Sequence, residues 1–140
     1  MRLSIRNQLP ATIVAVTPGQ VMGTVKARLG GGQVITAVIT LEAVADLGLA
    51  AGSAVQILVK STEVSLATGP VEGVSIRNQI PGTIRAVEHG AVMATVKVEI
   101  GGGDVLTAAI TEESAEDLKL VEGDPVVALI KSTEVSVAVA

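Results

Sequence analysis

Residues 21–48 read VMGTVKARLGGGQVITAVITLEAVADLG, and the periodicity changes twice along them. Val21, Gly23, Val25, Ala27 and Leu29 alternate with Met22, Thr24, Lys26 and Arg28. That two-residue period belongs to a strand with one polar face. Gly30-Gly31-Gly32 makes a turn, and VITAVI (34–39) is β-branched enough to read as a second strand. TLEAVADLG (40–48) then offers Thr40 as a cap, Glu42 in the first turn and Gly48 as a stop, so it predicts a short helix.

Working outward, TIVAV (12–16) precedes this stretch and closes at Pro18-Gly19, while VQILVK (55–60) and EVSLA (63–67) follow it. All three read as strands. Three strands, a helix and two further strands is the order of a small OB-type barrel. The whole pattern then recurs. Residues 3–69 align without a gap to residues 74–140, and about 38 of the 67 paired positions are identical. The expected organisation is therefore all-β, with two OB-like five-stranded barrels in tandem and one short helix in each. The expected boundaries are 1–69, a Gly/Pro linker at 70–73, and 74–140.

Composition limits what such a chain can be. It has 140 residues, no Phe, Tyr, Trp or Cys, 49% hydrophobic residues and a net charge of −4. One repeat is near the size limit for independent folding, and without aromatics it must rely on small aliphatic side chains. Contacts between repeats or between chains have to supplement them, so a homo-oligomer is expected. The absence of Cys excludes disulfides and thiolate metal sites. The uncharged stretch Leu47–Val59 is too short to span a membrane, and MRLSIRNQLP lacks a signal peptide's apolar run. These features imply a soluble, cytoplasmic protein. The acidic balance and the lack of stacking residues argue against nucleic-acid binding.

Comparing the repeats sorts the polar positions. Arg28/Glu99 and Thr17/Glu88 have drifted, as exposed residues can. SIRNQ at 4–8 and 75–79, Lys26/Lys97, Thr40/Thr111, Glu42/Glu113 and KSTE at 60–63 and 131–134 have not. SIRNQ and KSTE together supply a guanidinium, an ammonium, hydroxyls, an amide and backbone N–H groups, a set whose complement is a compact oxyanion. Charge-assisted hydrogen bonds are worth about 1.5–3 kcal/mol each, so five or six could outweigh desolvation. Common ancestry alone could also keep these residues, with Glu63 and Glu134 paired to the neighbouring lysines as surface ion pairs worth under about 1 kcal/mol. The glycine triplets lack phosphate-loop spacing and read as turns. His89, the only His, reads as a turn residue. No nucleophile–base constellation emerges, so no enzyme activity is expected.

At the level of motifs, S-x-R-N, G-G-G, V-I-T before the helix, L-x-L-x-x-G and V-K-S follow one another as in a Mop domain. The chain resembles a tandem, two-domain molbindin of the TOBE/Mop family, and the resemblance covers nearly all of it, twice. It implies OB-like barrels, a homotrimer, and molybdate or tungstate held at interfaces between domains without direct protein–metal bonds. Carried over, the oxyanion-binding residues are Ser4, Arg6, Thr40, Lys60 and Ser61 in repeat one. In repeat two they are Ser75, Arg77, Thr111, Ser114, Lys131 and Ser132, Ala43 having no hydroxyl to match Ser114. The donor inventory of SIRNQ adds the amides of Asn7 and Asn78 to these candidates. Further sites near a threefold axis are implied, without residues to assign to them. The implied role is molybdate storage. The alternatives are a regulatory module that presents the anion to a protein partner, or binding of a molybdenum–pterin cofactor.

Overall fold

The computed structural model describes residues 1–139; Ala140, the last residue of the 74–140 repeat, lies outside the described residues. In repeat one the alternating segments form β1 (Asn7–Pro18), β2 (Met22–Leu29), β3 (Val34–Thr40), β4 (Ala54–Val59) and β5 (Ser65–Ala67), with α1 (Leu41–Asp46) after β3. Repeat two gives β6 (Asn78–His89), β7 (Met93–Gly101), β8 (Asp104–Thr111), α2 (Glu112–Asp117), β9 (Pro125–Ile130) and β10 (Ser136–Val139). The Thr caps form as expected: Thr40 Oγ1 accepts from the Ala43 amide and Thr111 Oγ1 from the Ser114 amide. No helix is long and apolar enough to cross a membrane.

Two elements differ from the periodicity. β1 starts at Asn7, well before TIVAV, because one long strand serves two partners. Its first half pairs with β4 (Asn7↔Val59 to Thr12↔Ala54), and from Ala11 to Pro18, across a bulge at Val14, it pairs with β2. EVSLA is shorter than expected, because Ser61–Glu63 and Ser132–Glu134 form single 3-10 turns before the last strands.

Those last strands do not return to their own repeat. The sheet orders are β10-β4-β1-β2-β3 and β5-β9-β6-β7-β8. Ser136–Val139 pair with Val55–Leu58, and Ser65–Ala67 pair with Val127–Leu129. Sequence boundaries near residue 70 mark the repeats, whereas each five-stranded sheet takes its closing strand from the other repeat. The expected pair of five-stranded units with one short helix each is present, and the exchange of closing strands is added to it. The physical reason is local: the 3-10 turn redirects the chain after β4 and β9, carrying the next strand across.

The exchange produces one core. Ile13, Val25, Ile35, Ile57 and Val64 join Ile84, Val96, Leu106, Ile130 and Val135 in a single buried cluster. At about 1.5–3 kcal/mol per fully buried aliphatic side chain, such a shared cluster makes up for absent aromatics. The glycine triplets are turns, as expected, and the two turns meet. A Cβ on Gly102 (φ 63) would fall on the backbone of Gly30 and Gly31, so that approach needs glycine. Gln33 donates across the junction to the Ile100 carbonyl.

Candidate functional site

Because Asn7 pairs with Val59, the residues before one and after the other leave the sheet side by side. The antiparallel register therefore gathers Ser4, Ile5, Arg6, Lys60, Ser61 and Thr62 around a surface cavity of about 260 Å³. Four of the sequence-selected residues of repeat one meet there. Arg6 folds back on its own segment, Nε donating to the Ser4 carbonyl (3.2 Å) and Nη2 to that of Leu3 (2.9 Å). Its remaining guanidinium N–H groups are left for a ligand.

Repeat two has the same register, Asn78 against Ile130, but a different cavity. About 180 Å³ is bordered by Ile76, Leu129, Lys131 and Glu134 together with Thr62, Glu63 and Ser65 of repeat one. Lys131 lines it; Ser75, Arg77 and Ser132 do not. Thr62 borders both cavities, and sequence reasoning passed over it. Its signal was present, since Thr62 and Thr133 are identical inside KSTE.

Two observations bear on charge. Among the described residues Arg85 and Glu99 form an ion pair (3.6 Å), and His89 Nδ1 lies 2.8 Å from a Glu112 carboxylate oxygen. Lys60 and Lys131 have no carboxylate partner, contrary to the reading of Glu63 and Glu134 as their mates. Glu63 is instead half-buried and borders the other repeat's cavity. The repeat-one cavity thus holds two cationic side chains and no carboxylate, while the repeat-two cavity holds one cation and two carboxylates. His89, expected at a turn, ends β6 and is fixed to Glu112 at the start of α2.

The second observation is a pair of orphans. Ser61 Oγ and Ser132 Oγ are sealed from solvent and have no hydrogen-bond partner among the described residues. A buried hydroxyl without a partner costs about 1–3 kcal/mol, so equivalent orphans in both repeats, each next to an unpaired lysine, mark places where an acceptor belongs.

Other expected residues lie elsewhere. Asn7 and Asn78 are buried, and each spends one amide N–H and its carbonyl oxygen on backbone of the opposite repeat. Neither lines a cavity. Thr40 and Thr111 are exposed and line neither cavity. Each accepts a helix-capping bond while keeping a hydroxyl proton. Ser114 Oγ is 2.7 Å from Thr111 Oγ1. Opposite these threonines in the register stand Met22 and Met93, next to Val21 and Val92, which are 72% and 74% exposed.

Strand-exchanged tandem barrels of this size, with a donor-lined cleft where the SIRN and KSTE segments emerge, define a class of small ligand-binding β modules. The chain belongs to the TOBE domain family, whose model matches residues 3–66 and 74–137. It is 41% identical over 139 residues to the molybdenum-pterin-binding protein MopB of Rhodobacter capsulatus. That match covers 99% of this chain and 52% of MopB. It is 37% identical over 140 residues to the molybdenum transport protein ModE of Herbaspirillum seropedicae, again covering 99% of this chain and 52% of that protein. The chain therefore spans about half the length of these relatives. A solved structure of the cytoplasmic molybdate-binding protein ModG with molybdate bound superimposes with a TM-score of 0.96 at 38% identity, covering 100% of both chains.

Proposed function

We propose that the chain binds molybdate, and tungstate, as a cytoplasmic store of the oxyanion, in a homotrimer whose sites lie at seams between subunits. The observation that carries this reading is the pair of orphaned hydroxyls, Ser61 and Ser132, each next to a lysine that makes no ion pair among the described residues. A tetrahedral dianion supplies the acceptors both need. Arg6 contributes directed N–H groups, Lys60 charge, Ser4 and Thr62 hydroxyls, and the anion keeps its four oxygens. The full-length likeness to molybdate-bound ModG supports the same ligand. In the repeat-one cavity, whose charged side chains are all donors, a protonated anion such as hydrogen phosphate is disfavoured, and cavity size discriminates against sulfate.

The seam follows from incomplete sites. Thr40 and the hydrogen-bonded Thr111–Ser114 pair present hydroxyls away from both cavities, amid exposed Val21, Met22, Val92 and Met93. In this reading a second copy brings that edge against a Ser4–Arg6–Lys60 or Ser75–Arg77–Lys131 cleft, burying the apolar residues and completing the anion's shell. Such contacts join unlike surfaces, which close into a ring when the rotation between copies closes. The difference in carboxylate content makes the repeat-one sites the tighter class.

The relatives named for molybdenum–pterin favour a second reading, binding of that cofactor. The absence of any aromatic residue to cover a pterin ring weighs against it. Regulatory presentation of the anion is weaker still, because the chain matches only about half the length of the relatives named as transport or regulatory proteins. No catalytic role is assigned.

Calorimetric titration of anion-free protein with molybdate, tungstate and sulfate tests the proposal, with light scattering for the assembly. More than one molybdate per chain and a trimeric mass are expected. Equal affinity for sulfate, or a monomer that binds with full affinity, would refute it.

A further inference from the structure

Only three polar residues are buried among the described residues, Asn7, Asn78 and Thr107, and they belong to one arrangement. Asn7 is 2% and Asn78 4% exposed. The Asn7 amide donates to the Thr107 carbonyl (2.8 Å) and accepts from the Thr107 amide (2.7 Å). Asn78 does the same to Thr36 at 2.8 Å in both directions. Each side chain thus mimics a strand residue, satisfying both backbone groups at one point on an otherwise open sheet edge, since β3 and β8 are edge strands. The bonds are reciprocal across the repeats: repeat one holds β8, and repeat two holds β3.

Their position in the chain gives this consequence for binding. Asn7 directly follows Arg6 and is paired with Val59, which directly precedes Lys60. The latch therefore sits where both cationic side chains leave the sheet. On its other side, Thr107 lies four residues before Thr111, roughly 13 Å along an extended strand. Lys97 adds a bond to the Thr107 hydroxyl (2.8 Å).

We infer that Asn7 and Asn78 are positioning residues for oxyanion binding, reciprocal latches that hold the Arg/Lys pair of one repeat and the threonine arm of the other on one rigid frame. Neither touches the anion; each fixes groups that do. The inference rests on the oxyanion reading above. It also makes the latch part of the binding response, because an anion that pins Arg6 and Lys60 restrains the latch between them.

The test uses the full chain and molybdate. Asn7→Leu keeps the volume, removes both bonds and adds no charge beside Arg6; Asn78→Leu is its counterpart. Asn7→Leu is expected to weaken at least tenfold the same subset of ions that Arg6→Ala removes, and Asn78→Leu the subset that Arg77→Ala removes. A lower melting temperature with unchanged affinity in that subset would make the amides merely structural and overturn the inference. A second measurement needs no variant. The Thr36 and Thr107 amides, held only by asparagine side chains, should exchange with solvent at least tenfold more slowly once molybdate saturates the wild type. Unaltered exchange at saturation also overturns it. A wild type that binds no molybdate fails at the earlier step, and takes this inference with it.

Discussion

Replacing Ser61 by Ala should move stability and affinity in opposite directions. In the ligand-free protein Ser61 Oγ is sealed from water without a partner. Leaving a hydroxyl in that state costs about 1–3 kcal/mol, whereas the alanine methyl costs almost nothing there and leaves a void of only one oxygen. Ligand-free Ser61→Ala is therefore expected to be about 1 kcal/mol more stable than the parent, raising the melting temperature by roughly 3 °C in a chain of this size. With molybdate the sign reverses. A hydrogen bond from the hydroxyl to a charged acceptor contributes about 1.5–3 kcal/mol, so its loss should weaken the repeat-one class roughly ten- to a hundredfold. Differential scanning calorimetry of anion-free protein gives the first number and isothermal titration the second. A destabilised ligand-free variant would mean that the hydroxyl already has a partner. Unchanged affinity would mean that the anion does not reach it. Either result refutes the reasoning, because the proposal needs both signs.

Arg6→Ala and Lys131→Ala should each remove or weaken a distinct subset of bound ions, with the Arg6 loss falling on the tighter class; titration stoichiometry checks both. Lys119 takes up φ 52 at the position where repeat one has Gly48 at φ 62. Lys119→Gly should stabilise the fold by about 1 kcal/mol, the left-handed penalty relieved minus glycine's own entropy cost, read as a higher midpoint in urea. Gly102→Ala should destabilise by about 3 kcal/mol or more, since its Cβ would meet Gly30 and Gly31 backbone and its φ disfavours alanine. Gly103→Ala, at φ 83 with open space around it, should cost only the conformational part, about 1 kcal/mol.

Alternation carried the strands and the Thr–Gly punctuation carried the helices, because a strand's two faces and a helix's ends are properties of neighbouring residues. Donor chemistry likewise singled out Ser4, Arg6, Lys60 and Ser61, which the β1–β4 register brings together. What sequence did not reveal depends on partners far along the chain. Nothing local in EVSLA says which sheet it closes. Asn7 read as a ligand because its residue type suits an anion; its bonds to a backbone 100 positions away are not visible in the sequence. Glu63 seemed paired to Lys60 by adjacency, yet the 3-10 turn carries it to the other repeat's cavity. Thr62 went unnoticed because motif reasoning ranked the cations first.

The exchange of β5 and β10 is reciprocal, so it does not by itself make the clefts of the two repeats differ. Thr62, Glu63 and Ser65, at the crossing from repeat one, line the repeat-two cavity and bring a carboxylate there. The repeat-one cavity receives no such visitor; its lining is wholly its own. A single chain thereby offers an anion two electrostatic environments without divergence in the motifs themselves. The latches then prevent the two from behaving independently, because β3 and β8 each serve one repeat as a sheet edge and the other as the anchor of its asparagine. Cutting the chain in the 70–73 connection should therefore leave neither half with a closed sheet, unless the halves remain associated and exchange the same strands between separate chains.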